Sequence, residues 1–364
     1  MNKKSIVYIM NVDWFWIKQR PHFIAELLNE KFDVHVMYQH RYNRNGFQKD
    51  STSKIDLNPI YVVPRGDRNQ LGTKINNKIK SIVVKRIIKK TKSSIIYVTY
   101  PNQIDLIPIG FKGMVIYDCM DNHPAFVSND IDRKNMIEQE KRLLNRADCV
   151  LVSSKHLENV LNKRYGVNCC TNKIYLIRNG YNGAVINQGE FITKKNKTYT
   201  FAYFGTISSW FNFDYILRSL DDFSNIQFEL YGPIAGVEIP QHERIHYHGT
   251  VEHDKLYDNI KKVDCLIMPF IVNDIIESVD PVKLYEYINF NKNILVSYYK
   301  EIERFDKFVY FYDTYESYSN QISELINTNK LKYNELDRKN FLSENSWKCR
   351  TDKIIDIINK VNKR

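Results

Sequence analysis

The segment 278–287, Ser-Val-Asp-Pro-Val-Lys-Leu-Tyr-Glu-Tyr, joins a loop to the predicted start of a helix and carries side chains that could bind a phosphorylated ligand. Lys283 and Glu286 are three residues apart, so both lie on one face of the first turn. Backbone N–H groups at a helix start attract phosphate, and Lys283 adds a full positive charge. Glu286 could accept hydrogen bonds from sugar or ribose hydroxyls. The segment indicates a site for a nucleoside diphosphate joined to a hydroxyl-rich group. The alternative is an ordinary helix start with a surface ion pair.

A glycine and two hydroxyl residues follow the first predicted strand of the second half, where the chain reads Gly205-Thr206-Ile207-Ser208. Glycine lets a phosphate approach the backbone closely, and hydroxyl groups can donate hydrogen bonds to it. This segment is therefore a second candidate for phosphate binding.

Two carboxylates and a histidine crowd together in the segment 117–123, after another predicted strand. Asp118 or Asp121 could act near a hydroxyl group, either as a general base or by orienting it. We prefer Asp118 because it lies nearer the end of the strand, and we place His123 at the periphery. The alternative is a turn capped by Asp and Asn side chains. The spacing supports metal binding only weakly, and we predict no metal site.

Three aromatic residues, Trp14, Phe15 and Trp16, follow the first predicted strand and precede Arg20 and Pro21. Aromatic side chains in a loop are costly to expose to water. We expect them either to pack between domains or to stack on a ligand. Pro21 suits the first position of a helix, with Arg20 just before it.

Apolar segments typical of strands alternate with segments typical of helices along the chain. The predicted strands are 5–10, 34–38, 95–100, 114–117, 149–153 and 173–177, then 199–204, 227–231, 265–269 and 294–298. The predicted helices are 21–30, 133–145 and 156–163, then 216–220, 255–261 and 283–289. Two such series predict two α/β domains, each with a parallel sheet flanked by helices, joined by the polar stretch 182–197. Ligands of these sheets bind beyond the carboxyl ends of the strands, where the candidate residues fall.

Composition indicates a globular protein with two cores. The chain has 364 residues, of which 43% are hydrophobic, enough for two domains. No apolar run approaches the roughly 18–20 residues that span a bilayer, and a signal peptide is not expected. The six cysteines form no C-x-x-C pair. They predict reduced thiols of a cytoplasmic protein without structural zinc.

The net charge of +11 permits nucleic acid, an anionic membrane or an anionic substrate as a partner. No nucleic-acid-binding motif accompanies the charge, so nucleic acid ranks last. Cations are concentrated in the segment 73–92, at Lys74, Lys78, Lys80, Lys85, Arg86, Lys89, Lys90 and Lys92. As a helix, this segment has an apolar stripe flanked by cations. We predict that the stripe packs on its own domain while the cations face an anionic membrane surface. The alternative is that they are simply solvated.

Taken in order, these segments resemble those of the two-domain glycosyltransferases with the GT-B fold, of the family-4 type. The matching pieces are the aromatic first loop through Arg20 and Pro21, and the segments 117–121, 147–154, 177–180, 203–207, 231–233, 248–251, 263–270 and 281–287. The aromatic loop and the Tyr-Asp-Cys segment are most similar to the subgroup that builds teichuronic acid, capsule or O-antigen polysaccharides. The resemblance implies two Rossmann-like doubly wound domains facing across a cleft.

The resemblance also implies the domain boundaries. Residues 1–181 would form an acceptor-binding domain, 182–198 a linker and 199–340 a nucleotide-sugar-binding domain. Residues 341–364 would form a helix, starting near Trp347, that returns to the first domain.

The resemblance implies transfer of a sugar from a nucleoside diphosphate sugar to a lipid-linked glycan, with retention at the anomeric carbon, at the inner face of the cell membrane. No cofactor or metal is implied. The implied donor-binding residues are Gly205, Thr206, Ser208, Gly249, Thr250, Val251, Ser278, Pro281, Lys283, Leu284 and Glu286. The candidate catalytic residues are Asp118, Asp121 and Glu286. The implied acceptor-side residues are Asp13, Trp14, Trp16, Arg20 and His123.

Two departures from the family pattern bear on activity. Members often carry two glutamates eight positions apart, but Ser278 stands eight positions before Glu286, with Glu277 next to it. Many members also hold the diphosphate with an Arg and a Lys after the first glycine loop, where this chain has Ser-Ser-Trp at 208–210. The missing glutamate favours an alternative function, a non-catalytic nucleotide-sugar-binding or polysaccharide-assembly protein that keeps the fold.

Overall fold

The chain folds into two compact units. The computed structural model describes residues 3–16, 18–40, 54–65, 70–167, 172–186, 198–251, 253–328 and 330–362. One unit consists of Met1–Asn179 together with Trp347–Arg364, and the other is Gly180–Ser346.

The first unit is built on a parallel sheet of seven strands in the order β3-β2-β1-β4-β5-β6-β7. Its strands are β1 (Ser5–Met10), β2 (Asp33–Gln39), β3 (Asp56–Ile60), β4 (Ile95–Val98), β5 (Met114–Cys119), β6 (Cys149–Val152) and β7 (Ile174–Leu176). Its helices in this part of the chain are α1 (Arg20–Leu28), α2 (Gln70–Thr91), α3 (Asp130–Arg146) and α4 (Lys155–Tyr165). Two 3₁₀ turns, Pro101–Leu106 and His123–Phe126, follow β4 and β5.

Both faces of this sheet are covered, because successive side chains of a strand point to opposite faces. Ile6 and Tyr8 of β1 pack in one apolar layer, and Val7 and Ile9 pack in the other. The first layer contains side chains of α1, and the second contains side chains of α2, α3 and α4. A strand that is buried on both faces reads as a continuous apolar run, which is why β1 was recognisable in the sequence.

The second unit is built on a parallel sheet of six strands in the order β12-β10-β8-β13-β14-β15, with β9 and β11 paired beside it. Its strands are β8 (Tyr199–Phe204), β9 (Ile207–Ser208), β10 (Ile226–Tyr231), β11 (Ile234–Ala235), β12 (Ile245–Tyr247), β13 (Cys265–Met268), β14 (Asn293–Ser297) and β15 (Tyr310–Tyr312). Its helices are α5 (Phe213–Asp222), α6 (His253–Ile260), α7 (Asp274–Glu277), α8 (Val282–Asn289), α9 (Tyr315–Thr328) and α10 (Glu335–Glu344).

The chain then returns to the first unit as α11 (Trp347–Val361). Trp347 is buried, and its ring stacks on Phe23 of α1 with the ring centroids 5.3 Å apart. Ile354 and Ile358, spaced four residues apart on one face of α11, join the same apolar layer as α1.

The predicted α/β class with two parallel sheets is confirmed, and the details differ at the sheet edges and boundaries. Strands β3, β12 and β15, which the sequence did not indicate, all lie at an edge of a sheet. The second unit runs to Ser346, so residues 341–344 belong to α10 and not to the returning helix. Of the predicted linker 182–198, only 182–186 and 198 lie among the described residues.

Cys119, Cys149, Cys265 and Cys349 are free thiols, and Cys169 and Cys170 lie outside the described residues. No helix in the described ranges is long and apolar enough to cross a lipid bilayer.

Candidate functional site

Three glycines line the carboxyl edge of the second sheet, and we call Gly205, Gly232 and Gly249 the glycine edge. They follow β8, β10 and β12 and have φ angles of +139°, +130° and +70°, which L side chains rarely adopt. The Gly205 N–H donates to Tyr231 O at 2.9 Å, and the Gly232 N–H donates to Gly249 O at 2.7 Å. A Cβ on Gly232 would lie 2.1 Å from Gly205 O, so only glycine fits there. The three loops therefore approach each other through their backbones.

Lys283 lies directly against the glycine edge. A Cβ on Gly205 would lie 1.9 Å from Lys283 Cε and 2.6 Å from Nζ. Burial lowers the pKa of Lys283, and nearby Glu286 opposes this shift only in part. Within the described residues the ammonium group makes no hydrogen bond or ion pair. A half-buried cation in this state can gain charge-assisted hydrogen bonds from an anion that reaches the edge.

Helix α8 is fixed so that Lys283 faces the glycine edge. The Tyr287 hydroxyl donates to Ile267 O at 3.2 Å and accepts from the Phe204 N–H at 3.4 Å, which ties the helix to β13 and to the end of β8. Leu284 is fully buried in the core of the second unit. Its side chain therefore anchors the helix and cannot contact a donor, which corrects that part of the predicted donor set.

A buried ion pair, which no pattern in the sequence predicts, holds the segment before α8. Asp280 is almost fully buried and pairs with Arg304, whose Nη2 also donates to the Tyr285 hydroxyl at 2.8 Å. Burial works to lower the pKa of Arg304, but Asp280 and Tyr285 outweigh it and the pKa is raised. The Tyr299 hydroxyl donates to Val279 O at 3.2 Å in the same segment. The helix start is therefore fixed from two sides.

A cavity of about 350 Å³ opens one turn further along α8, with Glu286 in its wall. Its other lining residues come from the segment after the first unit, from α6 and from the end of α8: Tyr181, Asn182, Gly183, Ala184, Ile186, Tyr257, Asn289 and Phe290. Aromatic side chains can pack on a ring of a ligand, and a carboxylate beside them can accept hydrogen bonds from hydroxyl groups on that ring. Lys283 and Glu286 thus lie on one face of α8 but at two different positions, the glycine edge and the cavity.

The remaining predicted donor residues divide by what their side chains do. Ser278 and Ser208 are buried, and their hydroxyls donate to Asp274 O and Ala235 O, each at 2.8 Å. Both hydroxyls are thus used within the fold, contrary to their predicted role as direct donor contacts. Thr206 is half-buried beside Gly205, and its carbonyl accepts from Tyr203 at 2.8 Å. Pro281 is buried at the start of α8, and exposed Thr250 and half-buried Val251 follow Gly249.

In the first unit, Arg20 and Asp118 form a buried pair. Asp118 is 0% exposed, and Arg20 donates to both of its oxygens at 2.8–3.1 Å. The Tyr97 hydroxyl also donates to Asp118, at 2.9 Å, and Arg20 Nη1 donates to Ile177 O at 2.8 Å. These contacts link α1, β4, β5 and the end of β7. Asp118 is therefore an anchor and not an accessible base, and Arg20 is not available to an acceptor, which corrects both predictions.

Asp121, three residues further on, has the properties expected of a base. Its side chain is half-buried, and burial raises its pKa to about 7, with Arg20 lowering it and Asp118 raising it. Within the described residues its carboxylate has no hydrogen-bond partner. A carboxylic acid that titrates near neutral pH can both accept and return a proton.

His123 is buried beside Tyr100, with the ring centroids 4.5 Å apart. Burial lowers its pKa to about 4, so the ring is neutral at neutral pH. Its Nε2 atom is buried without a hydrogen-bond partner among the described residues. The residue before His123 leads to a second polar cluster, which the sequence did not indicate. Asn122 accepts from Arg164 at 2.7 Å. Arg164, Tyr117 and Tyr165 all donate to Glu140.

The aromatic first loop packs inward. Trp14 is 1% exposed, lies in the core beside His22 and cannot stack on an acceptor, contrary to the prediction. Asp13 is buried, and its carboxylate accepts from the Phe15 N–H at 3.0 Å as a turn cap. Trp16 is half-buried, as is Phe15, so both rings keep some accessible surface. Across the part of the chain that the structure describes, no group of three or more His, Cys, Asp or Glu side chains could hold a metal ion.

Comparison with solved structures identifies the architecture. Sucrose-phosphate synthase from Thermosynechococcus elongatus superposes with a TM-score of 0.71 at 11% identity, over 99% of both chains. Anabaena HepE in complex with UDP and glucose gives 0.67 at 12% identity, over 98% of this chain and 100% of that one. The catalytic domain of starch synthase IV from Arabidopsis thaliana, bound to ADP and acarbose, gives 0.67 at 9% identity over all of both chains. The chain has the GT-B fold. At the level of sequence, no family profile and no curated protein matches it.

We expect Asp118→Asn to destabilise the protein by about 3–5 kcal/mol, because removing one member of a buried pair leaves Arg20 buried and uncompensated. Urea unfolding of the full chain measures this loss. The control Asp356→Asn, at an exposed position on α11, should change the free energy of unfolding by less than about 0.5 kcal/mol. An unchanged unfolding curve together with lost activity would instead restore Asp118 as a catalytic base.

Proposed function

We propose that this protein is a glycosyltransferase of the family-4 type, which transfers a sugar from a nucleoside diphosphate sugar to a glycan acceptor. The observation that carries the proposal is Lys283, a half-buried cation that lies against Gly205 and has no hydrogen-bond or ion-pair partner within the described residues. A diphosphate at the glycine edge supplies the missing charge. The cavity at Glu286, one turn along the same helix, then receives a hydroxyl-bearing part of the donor.

The chemistry required of the second unit is stabilisation of a departing diphosphate. Because Gly205 and Gly232 carry no side chain, a phosphate can approach the backbone of the glycine edge closely, and Lys283 adds a full charge in a partly dry environment, where its effect is larger than in water. Solved structures that share this fold include proteins bound to UDP with glucose and to ADP, which supports a nucleotide sugar as the donor. We also propose that the anomeric configuration of the sugar is retained, and only the resemblance to the family supports this part of the proposal.

On the acceptor side we propose Asp121 as the group that orients or deprotonates the attacking hydroxyl. It is the carboxylate of the predicted pair that stays accessible, and its raised pKa suits proton transfer near neutral pH. Asp118 and Arg20 hold the end of β5, from which Asp121 extends.

The second candidate function is nucleotide-sugar binding without transfer. It is favoured by Ser278, whose hydroxyl is hydrogen-bonded to Asp274 O where a family glutamate would contact the donor sugar. Donor hydrolysis with and without an acceptor distinguishes the two, because a non-catalytic protein consumes no donor in either case.

We further propose that the acceptor is a lipid-linked glycan of a bacterial surface polysaccharide and that α2 holds the enzyme at an anionic membrane. Leu71, Ile75 and Ile82 are 70%, 44% and 42% exposed, and they lie on one stripe of α2 with Lys78, Lys85 and Lys89, at spacings of three and four. No acidic residue occurs in α2. The apolar residues of α2 thus divide into two groups. Ile79, Val83, Ile87 and Ile88 pack inward, whereas Leu71, Ile75 and Ile82 face outward among the cations.

Replacing Lys283 by Met should weaken binding of UDP, ADP or GDP by at least tenfold and leave binding of the matching nucleoside unchanged. Only the nucleotide carries the charge that Lys283 offsets, and such a contact contributes about 1.5–3 kcal/mol. Calorimetry with each pair of ligands measures both affinities. Lys300→Met, at an exposed lysine, is the control. Equal losses for nucleotide and nucleoside would refute the phosphate role.

The transfer rate should rise with pH and level off above about 7, because the carboxylate form of Asp121 accumulates there. Asp121→Asn should abolish this rise together with most of the activity. The contribution of Asp121 to the free energy of unfolding should fall over the same pH range in which the rate rises. The folded state binds the Asp121 proton more tightly than the unfolded state does, so this group destabilises the fold as pH rises from about 4 to 7. A pH–rate profile that is the same in Asp121→Asn would exclude this residue as the base.

The protein should sediment with phosphatidylglycerol vesicles and much less with phosphatidylcholine vesicles. Substituting Ser for Lys78, Lys85, Arg86 and Lys89 should weaken binding by more than tenfold, since each cation near an anionic surface contributes about 1 kcal/mol. Ser at Leu71, Ile75 and Ile82 should also weaken it, through lost apolar insertion. The control carries Ser at Lys112, Lys134, Lys141 and Lys163, four exposed cations elsewhere in the first unit. An equal loss of vesicle binding in the control would show that binding depends on the net charge of the protein and not on α2.

A further inference from the structure

A three-residue edge strand, β12, carries the chain to Gly249, the outermost member of the glycine edge. It pairs with β10 over residues 228–230, in a register that places His246 opposite Glu229. An edge strand of this length has few ladder hydrogen bonds, so side-chain contacts must help to determine where the following residues lie. Gly249 has open space beside its Cα atom, and Thr250 after it is exposed.

Glu229 contacts two histidines of this passage at once, and we call Glu229, His246 and His248 the histidine clamp. Glu229 Oε1 lies 2.9 Å from His246 Nδ1, and Oε2 lies 2.5 Å from His248 Nε2. His246 Nε2 lies 3.1 Å from Glu243 O. Because an ionised carboxylate only accepts hydrogen bonds, each imidazole must donate to Glu229. Residues 246 and 248 share a face of the strand, which lets one carboxylate hold both.

Three further contacts lead from the clamp to the glycine edge through the neighbouring residues Tyr231 and Tyr247. The His248 ring stacks on Tyr231, with the ring centroids 4.6 Å apart and the planes 14° from parallel. The Tyr247 hydroxyl donates to Gly232 O at 2.8 Å. The Gly232 N–H in turn donates to Gly249 O at 2.7 Å. Moving His248 would therefore disturb the outer end of the glycine edge.

The outer end of the edge is too far from Lys283 to serve the same phosphate group. Strands of one sheet are about 4.8 Å apart, so Gly249 after β12 lies two strand spacings, roughly 10 Å, from Gly205 after β8. A ligand whose diphosphate lies at Gly205 and Lys283 reaches Gly249 only with another part of the molecule. The resemblance to the GT-B glycosyltransferases implies that this part is the base of the nucleoside.

We propose that Glu229 is a positioning residue that holds residues 248–251 in place through His246 and His248 and thereby sets the affinity for the nucleoside part of the donor. This inference rests on the proposed function. It assigns a role to a charged cluster that lies outside the glycine edge and the cavity.

Hydrogen exchange of the ligand-free protein tests the clamp itself. In Glu229→Leu the amides of residues 246–251 should exchange at least severalfold faster than in the unsubstituted protein, because the His248 N–H bond to Leu230 O loses its support. The control Glu243→Gln, at an exposed carboxyl three residues before His246, should leave exchange unchanged. Unchanged exchange in Glu229→Leu would overturn the proposal.

Calorimetry with UDP, ADP, GDP and inorganic pyrophosphate tests the consequence for the donor. Glu229→Leu should lower the affinity for the nucleotide that binds by about five- to tenfold and leave the pyrophosphate affinity unchanged. His248→Gln, which keeps an N–H donor, should retain more affinity than His248→Phe, which keeps only the stacking on Tyr231. Faster exchange with unchanged nucleotide affinity would overturn the role in donor recognition. If the unsubstituted protein binds none of the nucleotides, the proposed donor site is wrong, and the exchange data still judge the clamp.

Discussion

The absence of side chains at the carboxyl edge of the second sheet is the constraint on which the candidate donor site depends. Gly205 and Gly232 lie so close that a Cβ on either would collide, with the Lys283 side chain in one case and with the Gly205 carbonyl in the other. Lys283 can cross Gly205 only because no methyl group is there, and it stays half-buried without a hydrogen-bond partner in the described part of the chain. Keeping the Lys283 ammonium group partly out of water costs free energy. The burial of Leu284 and Tyr287, which packs α8 on the core, offsets this cost. Packing and binding are thus parts of one arrangement, since a displaced helix would release the lysine to water.

The alternation of strands and helices could be predicted because central strands are buried on both faces and read as apolar runs, as β1, β5 and β13 do. The missed strands lie at sheet edges, where one side has no partner strand and little apolar sequence is needed. β3 even contains Asn58 and Pro59, residues that are depleted in central strands and tolerated at an edge. The boundary at Ser346 has a different cause. The residues between α10 and α11 contain no pattern of their own that marks the change of unit. The start of the returning helix near Trp347 was implied by the resemblance, and Trp347 packs against Phe23 of the first unit.

The site residues were predicted by position after a strand, and position alone does not separate a functional side chain from a structural one. Asp118 and Asp121 were candidates for the same role. Asp118 still belongs to β5 and points into a space that Arg20 fills, while Asp121 lies beyond the strand and stays partly accessible. Ser208 and Ser278 likewise have hydroxyls of the right chemistry that backbone carbonyls already occupy. Which carboxylate meets an arginine 98 residues away in sequence depends on tertiary packing, and no local pattern contains that information.

The two units use the same device behind their candidate functional loops. Arg20–Asp118 lies behind Asp121 in the first unit, and Arg304–Asp280 lies just before Lys283 in the second. Removing two charges from water costs about as much as their attraction returns, so neither pair is well explained as a source of net stability. What a buried pair does supply is a single allowed geometry, since displacing either partner leaves an uncompensated charge. Asp280 also places a negative charge next to the start of the helix at which we propose that a diphosphate binds. Arg304 neutralises that charge, so the helix start can be fixed by a carboxylate without repelling the ligand. The placement of these pairs next to Asp121 and Lys283 is therefore better explained by the requirement for a fixed site than by the stability of the fold.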